Sequence, residues 1–234
     1  MSGGTFLTWL GHAAFRLDTP AGTRLYVDPF LNGNPACPEG ERSPERCDLI
    51  AVTHGHGDHI GDTVALHRRF SCPVVAQVEL RRWLTENGVA DDGSAHSINK
   101  GGSTTVADVK LTLTHANHSS TAPDGRNVGE SCGFVIRPTG GKTVYIAGDT
   151  SVSSDMALIG RLYKPDVAVL PIGDHYTMGP EEAALAAELV GAPVVMPAHW
   201  GAFPITTGTP AELIPLLPSG VRLLTPEPGQ TVEL

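Results

Sequence analysis

The stretch Thr53-His54-Gly55-His56-Gly57-Asp58-His59-Ile60 places four metal-ligating side chains, His54, His56, Asp58 and His59, within six residues. It follows directly on the apolar run Leu49-Ile50-Ala51-Val52, whose length and β-branched content read as a buried strand. The ligands therefore emerge together from a strand end. Gly55 and Gly57 remove side chains from alternate positions, which predicts a tight backbone turn there. Ile60, Val64, Ala65, Leu66 and His67 then carry helical spacing, so Asp58 and His59 are expected on the first turn of that helix. An ungapped H-x-H-x-D-H arises by chance about once in a thousand chains of this composition. The competing reading, a solvated polar loop, has little weight against it.

Three other apolar runs share this ending. Those closing near Thr114, Ala147 and Met196 are each followed within a few residues by His or Asp. A sheet gathers strand ends along one edge, so ligands far apart in sequence can converge. Residues 5–10, 14–17 and 24–27 read as an opening meander. Val74-Val75-Ala76 reads as a strand and residues 79–87 as a helix stopped by Gly88. Residues 96–102 read as a plain hairpin turn, which competes with a site role for His96. Residues 106–114 read as one strand, and residues 133–137 and 143–147 as a hairpin. Residues 156–162 and 180–190 read as helices, the latter with Pro at its start and Gly191 after its end. Residues 167–171 and 194–196 read as strands, and short Pro- and Gly-rich connections finish the chain. One domain spanning residues 1–234 is expected.

Composition removes several function classes. The formal net charge of −9 disfavours a nucleic-acid footprint built on bulk positive charge. No run approaches the ~18 apolar residues of a membrane span, and residues 1–4 show no export signal, so a cytoplasmic chain is expected. Cys37, Cys47, Cys72 and Cys132 form no C-x-x-C pair, which argues against a zinc ribbon. Cys37 and Cys47 bracket a Pro- and Glu-rich loop and are candidates to approach each other, with free thiols the expectation for an intracellular chain.

The H-x-H-x-D-H run resembles the signature of the metallo-β-lactamase superfamily. Further stretches, Trp9-Leu10-Gly11-His12-Ala13, Asp28-Pro29-Phe30-Leu31, Asn99-Lys100-Gly101-Gly102, His118-Ser119-Ser120, Gly148-Asp149-Thr150, Pro171-Ile172-Gly173 and Met196-Pro197-Ala198-His199, are similar to the UPF0173 metal-dependent hydrolases. The resemblance runs from about Leu7 to the C-terminus. It implies an α+β fold, the four-layer αββα sandwich, with a one- or two-metal site at its edge. Residue by residue, it implies His54, His56 and His118 for one ion, Asp58, His59 and His199 for a second, and Asp149 between them. His115 competes with His118, and the family pattern favours the histidine immediately before the paired serines. Asp28 falls where a carboxylate orients a ligand imidazole, against the simpler reading of a turn residue.

Nitrogen and carboxylate ligands suit two divalent ions, Zn²⁺ first, with Mn²⁺, Fe²⁺ and Ni²⁺ open. Two ions about 3.5 to 4 Å apart lower the pKa of a shared water toward roughly 7 and supply hydroxide at neutral pH. The expected substrate is a small, possibly anionic molecule: an ester, lactone or phosphodiester. Asp58 is then a candidate to orient the water or carry a proton. His12 and His175, each inside a family-like stretch, are candidates for substrate binding or proton transfer, and Lys100 for an anionic group. Flavodiiron oxidoreductases of this fold carry Glu at the position of His56 and require a flavin domain. Nucleases of the superfamily usually add an RNA-binding arm or a separate domain, and no insertion long enough for one is seen in the sequence. A nuclease, or a non-catalytic metal-binding protein, remains the alternative. Related proteins commonly form oligomers, so the resemblance makes a homo-oligomer one expectation.

Overall fold

The structure, a computed structural model, describes residues 3–93 and 95–234. Met1 and Ser2, part of the stretch read above for an export signal, lie outside the described residues. The first sheet is built from β1 (Phe6–Trp9), β2 (Phe15–Asp18), β3 (Arg24–Val27), β4 (Leu49–Ala51), β5 (Val74–Gln77) and β6 (Ser97–Ile98). The second contains β7 (Ser103–Val106), β8 (Val109–His115), β9 (Cys132–Pro138), β10 (Val144–Ile146), β11 (Val167–Pro171), β12 (Val194–Ala198) and β13 (Arg222–Leu223). A last strand, β14 (Thr231–Glu233), returns to pair antiparallel with β1. The sheet orders are β14-β1-β2-β3-β4-β5-β6 and β13-β12-β11-β10-β9-β8-β7. Each changes from antiparallel to parallel midway, at β3 in the first and at β10 in the second. The helices are α1 (Gly57–Ile60), α2 (Thr63–Phe70), α3 (Val78–Glu86), α4 (Asp155–Tyr163), α5 (Pro180–Val190) and α6 (Pro210–Leu213).

Strand periodicity produces the layers. Leu49 and Ala51 of β4 enter the core between the sheets, while Ile50 and Val52 enter a second core with Leu66 of α2 and Leu80 and Leu84 of α3. In the second sheet Val167 and Val169 face the central core, and Ala168 and Leu170 face α4 and α5. Helices thus cover the outer face of each sheet, giving the αββα sandwich. No helix of the described residues is long and apolar enough to cross a membrane.

Several local expectations are corrected. The helix after the ligand loop is interrupted: α1 is a single turn ending at Gly61, whose φ of 44° combined with a ψ of −123° admits essentially only glycine. A Cβ at Gly61 would lie 2.5 Å from the Pro29 carbonyl oxygen, and that same carbonyl accepts from Asp62 N at 2.8 Å. The break thus docks the ligand turn onto the segment after β3. Gly55 and Gly57 do not occupy left-handed backbone; a Cβ on Gly55 would strike Val128 at 2.2 Å, whereas Gly57 has nothing closer than 3.8 Å. Gly55 is therefore demanded by packing and not by a turn. Residues 99–102 are no hairpin, since β6 belongs to the first sheet and β7 to the second; this turn carries the chain between sheets. The strand expected over 106–114 is present as β8 but begins at Val109; Val106 ends β7, and the two form a hairpin turning at Ala107 with φ 52°. The chain's last part contributes α6, β13 and β14 where only connections were expected. By contrast, α5 has its bounds, its N-terminal proline and its left-handed Gly191 as capping preferences require.

Gly61→Ala is expected to destabilise the protein by roughly 2 kcal/mol or more, since it combines a φ/ψ pair open only to glycine with a backbone clash. Urea unfolding checks this; a loss under about 0.5 kcal/mol would contradict the docking role assigned to this break.

Candidate metal centre

The centre is assembled from the strand end outward. Beyond β4, the buried Thr53 donates from its backbone N and its Oγ1 to the Asp28 carboxylate, at 2.8 and 2.6 Å. Having given its proton to Asp28, the Thr53 hydroxyl is left to accept from His54 Nδ1 at 3.0 Å. His59 Nδ1 donates to Asp28 Oδ2 at 2.7 Å. Both rings therefore keep a proton on Nδ1 and turn Nε2 inward, the nitrogen a metal ligand uses. The second carboxylate role expected for Asp28, orienting a ligand imidazole, matches these contacts.

Three ligand groups converge, each with its donor atoms within 4.8 Å of one another: His54, His56 and His118; His12, Asp58, His59 and His199; and His54, His59 and Asp149. The structure thus brings together every metal ligand expected from the sequence. Asp149 joins the groups: its Oδ2 lies 3.1 Å from His199, 3.3 Å from His59, 3.7 Å from His118 and 4.0 Å from His54. His54 Nε2 and His56 Nδ1 approach to 3.0 Å, and His56 Nε2 faces Ser119 Oγ at 3.3 Å. His59 Nε2 is buried without a hydrogen-bond partner among the described residues, although two carboxylates lie within 3.8 Å. A buried donor set of imidazole nitrogens around carboxylate oxygens fits divalent cations.

His12 adds a feature the sequence only hinted at. Its Nε2 donates to Asp58 Oδ2 at 2.9 Å, and its Nδ1 is buried without a partner among the described residues, which puts the single proton of the neutral ring on Nε2. The side chain is 1 % exposed, against 34 % for Asp58. Its ring packs 4.0 Å from His199 and 5.2 Å, edge on, from Phe203. The His12 carbonyl accepts from both Trp9 Nε1 and His199 N, each at 2.9 Å. Buried in this way, His12 reaches the centre through its hydrogen bond to Asp58. The sequence assigned no contact to Thr53, Ser119 or Phe203. Thr53 and Ser119 had one signal, their position directly beside a ligand, whereas Phe203 had none.

Other candidates lie elsewhere. His175 is exposed on the loop after β11, with its ring against Tyr176 at 4.5 Å; that loop packs on the centre through Gly173, where a Cβ would meet the His199 carbonyl at 2.0 Å. His96 bonds Asp92 at 2.5 Å. His115 ends β8 exposed, 3.2 Å from Lys100 Nζ. Lys100 also pairs with Glu130 at 2.7 Å, so the ammonium already has a carboxylate partner.

Burial pushes the histidines His54, His56 and His118 below their ordinary range. His59 and His199 go the other way. Burial pulls them down too, but Asp149 and the other nearby carboxylates outweigh it, raising His59 well above its usual value and His199 to about 9. Burial would raise Asp149 and Asp58, yet His59 and the neighbouring histidines hold both well below the usual carboxylate range. Without an ion, two imidazoles therefore carry protons in its place. A raised folded-state pKa stabilises the fold fully below the ordinary value of 6.5, and this stability is lost as pH climbs through about 9. Chelator-treated protein is thus expected to lose thermal stability from about pH 6.5 to 9, and metal-supplemented protein to escape that loss, because the cation replaces the protons. Parallel thermal unfolding across this range checks it; a flat profile for the chelated protein would contradict it.

Comparison with known proteins bears on this geometry. A profile described as a beta-lactamase superfamily domain matches residues 23–200. A UPF0173 metal-dependent hydrolase of Koribacter versatilis is 47% identical over 213 residues, covering 90% of each chain. One from Methanosarcina mazei is 41% identical over 97% of this chain and 98% of its own. Among solved structures, a metallo hydrolase from the hyperthermophilic archaeon Ignicoccus hospitalis is 33% identical, covers 99% of each chain and superposes with a TM-score of 0.85.

Proposed function

Because the chain belongs to the UPF0173 metal-dependent hydrolases of the metallo-β-lactamase superfamily, we propose that it is a dinuclear enzyme hydrolysing a small ester, lactone or phosphodiester. The supporting observation is Asp149 Oδ2, which stands within 4.0 Å of imidazoles from both ligand groups. His54, His56 and His118 would hold one ion and Asp58, His59 and His199 the other, with Zn²⁺ the first candidate for this nitrogen and oxygen set. When bound, the ions supply Lewis acidity, polarising the scissile bond and acidifying water.

The chain's own groups supply orientation. Asp58 is held well below the usual carboxylate range, its burial outweighed by His59, by the hydrogen bond from His12 and by the nearby His199. A proton carrier needs a pKa near the working pH, so the role assigned to Asp58 is to orient the attacking water as a fixed acceptor. His12 is a positioning residue, fixing Asp58 Oδ2 through its Nε2 proton. His175, exposed on the loop that packs on the centre through Gly173, is the histidine assigned to the distal part of a bound substrate. The chain is placed in the cytoplasm in this proposal.

A panel of nitrophenyl esters, lactones and bis(nitrophenyl) phosphate, assayed with each metal, tests the reading. Turnover of at least one class, abolished by chelation and restored by metal, is expected; no turnover of any by metal-loaded protein would overturn it. For His12→Ala, kcat is expected to fall about 10- to 100-fold with KM little changed, and His12→Gln, which keeps a donor, to recover part of the loss. Equal kcat per folded molecule in both variants would leave His12 a purely structural residue.

A further inference from the structure

The sequence set Cys37 and Cys47 across a loop, but the fold gives Cys47 a different neighbour. Cys47 Sγ lies 3.5 Å from Cys72 Sγ, and both residues are buried, 4 % and 3 % exposed. The other two cysteines turn their sulfurs to backbone oxygens, Cys37 to Pro38 at 3.7 Å and Cys132 to Glu130 at 3.4 Å. Cys47 and Cys72 sit just ahead of the adjacent parallel strands β4 and β5, where Ile50 pairs with Val74 and Ile50 N donates to Pro73 O at 3.0 Å. Neighbouring strands run about 4.8 Å apart, inside the Cα separation of about 4.4 to 6.8 Å that a disulfide spans. The segment between the two cysteines contains β4, the ligand turn and α2, and with them His54, His56, Asp58 and His59.

We propose that Cys47 and Cys72 are an oxidisable dithiol whose disulfide covalently closes the segment carrying these metal-ligand residues. The oxidant class is a hydroperoxide, with hydrogen peroxide the simplest case. One thiolate attacks a peroxide oxygen, the O–O bond breaks, and a sulfenic acid and hydroxide form. The second thiol then attacks that sulfur, the S–O bond breaks, and the S–S bond forms as hydroxide leaves. Two electrons and two protons pass from the thiols, and peroxide becomes two waters. The shared hydrogen bond assists, lowering the Cys72 thiol while raising Cys47, with burial opposing ionisation of both. The cross-link restricts the unfolded chain and leaves the folded strands where they are.

The test uses full-length, metal-loaded protein treated with dilute hydrogen peroxide, followed by thiol counting in denaturant, intact mass and peptide mapping. Free thiols are expected to fall from the four of the reduced chain to about half, with a cross-linked peptide joining Cys47 to Cys72, reversal by dithiothreitol, and a melting temperature raised by about 5 °C or more. Cys37→Ser should keep the cross-link, and Cys47→Ser or Cys72→Ser should abolish it with circular dichroism unchanged. A Cys37–Cys47 link, sulfinic acid without a cross-link, or all thiols surviving peroxide that oxidises free cysteine in the same solution would overturn the proposal.

Discussion

A carboxylate taken out of water costs several kcal/mol unless cations surround it, and the centre of this molecule depends on how that cost is met at Asp149. Its Oδ2 lies within 4.0 Å of His54, His59, His118 and His199, and the residue is buried. Protonated His59 and His199 can compensate it, and divalent ions do so with more charge and directed bonds. The architecture exists to make this convergence rigid. β4 and β12 run parallel to their neighbours and β10 runs parallel to β11, and each releases a ligand just past its end, so one edge of the sandwich collects side chains from distant parts of the chain.

Rigidity at that edge is maintained against local strain. His12, Asp28 and His199 all adopt left-handed backbone, with φ of 54°, 47° and 56°, at about 1 to 3 kcal/mol each for such residues. Two of them hold each other, since His199 N donates to the His12 carbonyl. The third, Asp28, is anchored by Thr53 and His59. Strain of this kind survives only where surrounding contacts over-determine it. Here the contacts that do so also fix the tautomers of His54 and His59, so the same bonds set the ring protons and the backbone.

The legible part of this centre was the part with local spacing. H-x-H-x-D-H, the apolar run before it and the His or Asp after three other runs are all short-range patterns, and strand ends at a sheet edge turn them into one cluster. What escaped depends on contacts distant in sequence. The break at Gly61 is set by Pro29, the choice of Gly55 by Val128, and the β14 strand by an unpaired edge on β1. His12 appeared in a family-like stretch, but only the fold shows its ring donating to Asp58. The Cys47 neighbour was missed because loop proximity suggested Cys37, while parallel pairing of β4 with β5 selects Cys72.

The central claim is that Asp149 joins two ligand groups, each holding one ion. Metal content per folded chain, measured by elemental analysis on untagged protein beside Asp58→Ala and His199→Ala, tests it most directly. The account predicts about two ions in the native chain and about one in each variant, the His54, His56 and His118 group being left intact. Less than one ion in the native chain after reconstitution, unchanged in both variants, would contradict it.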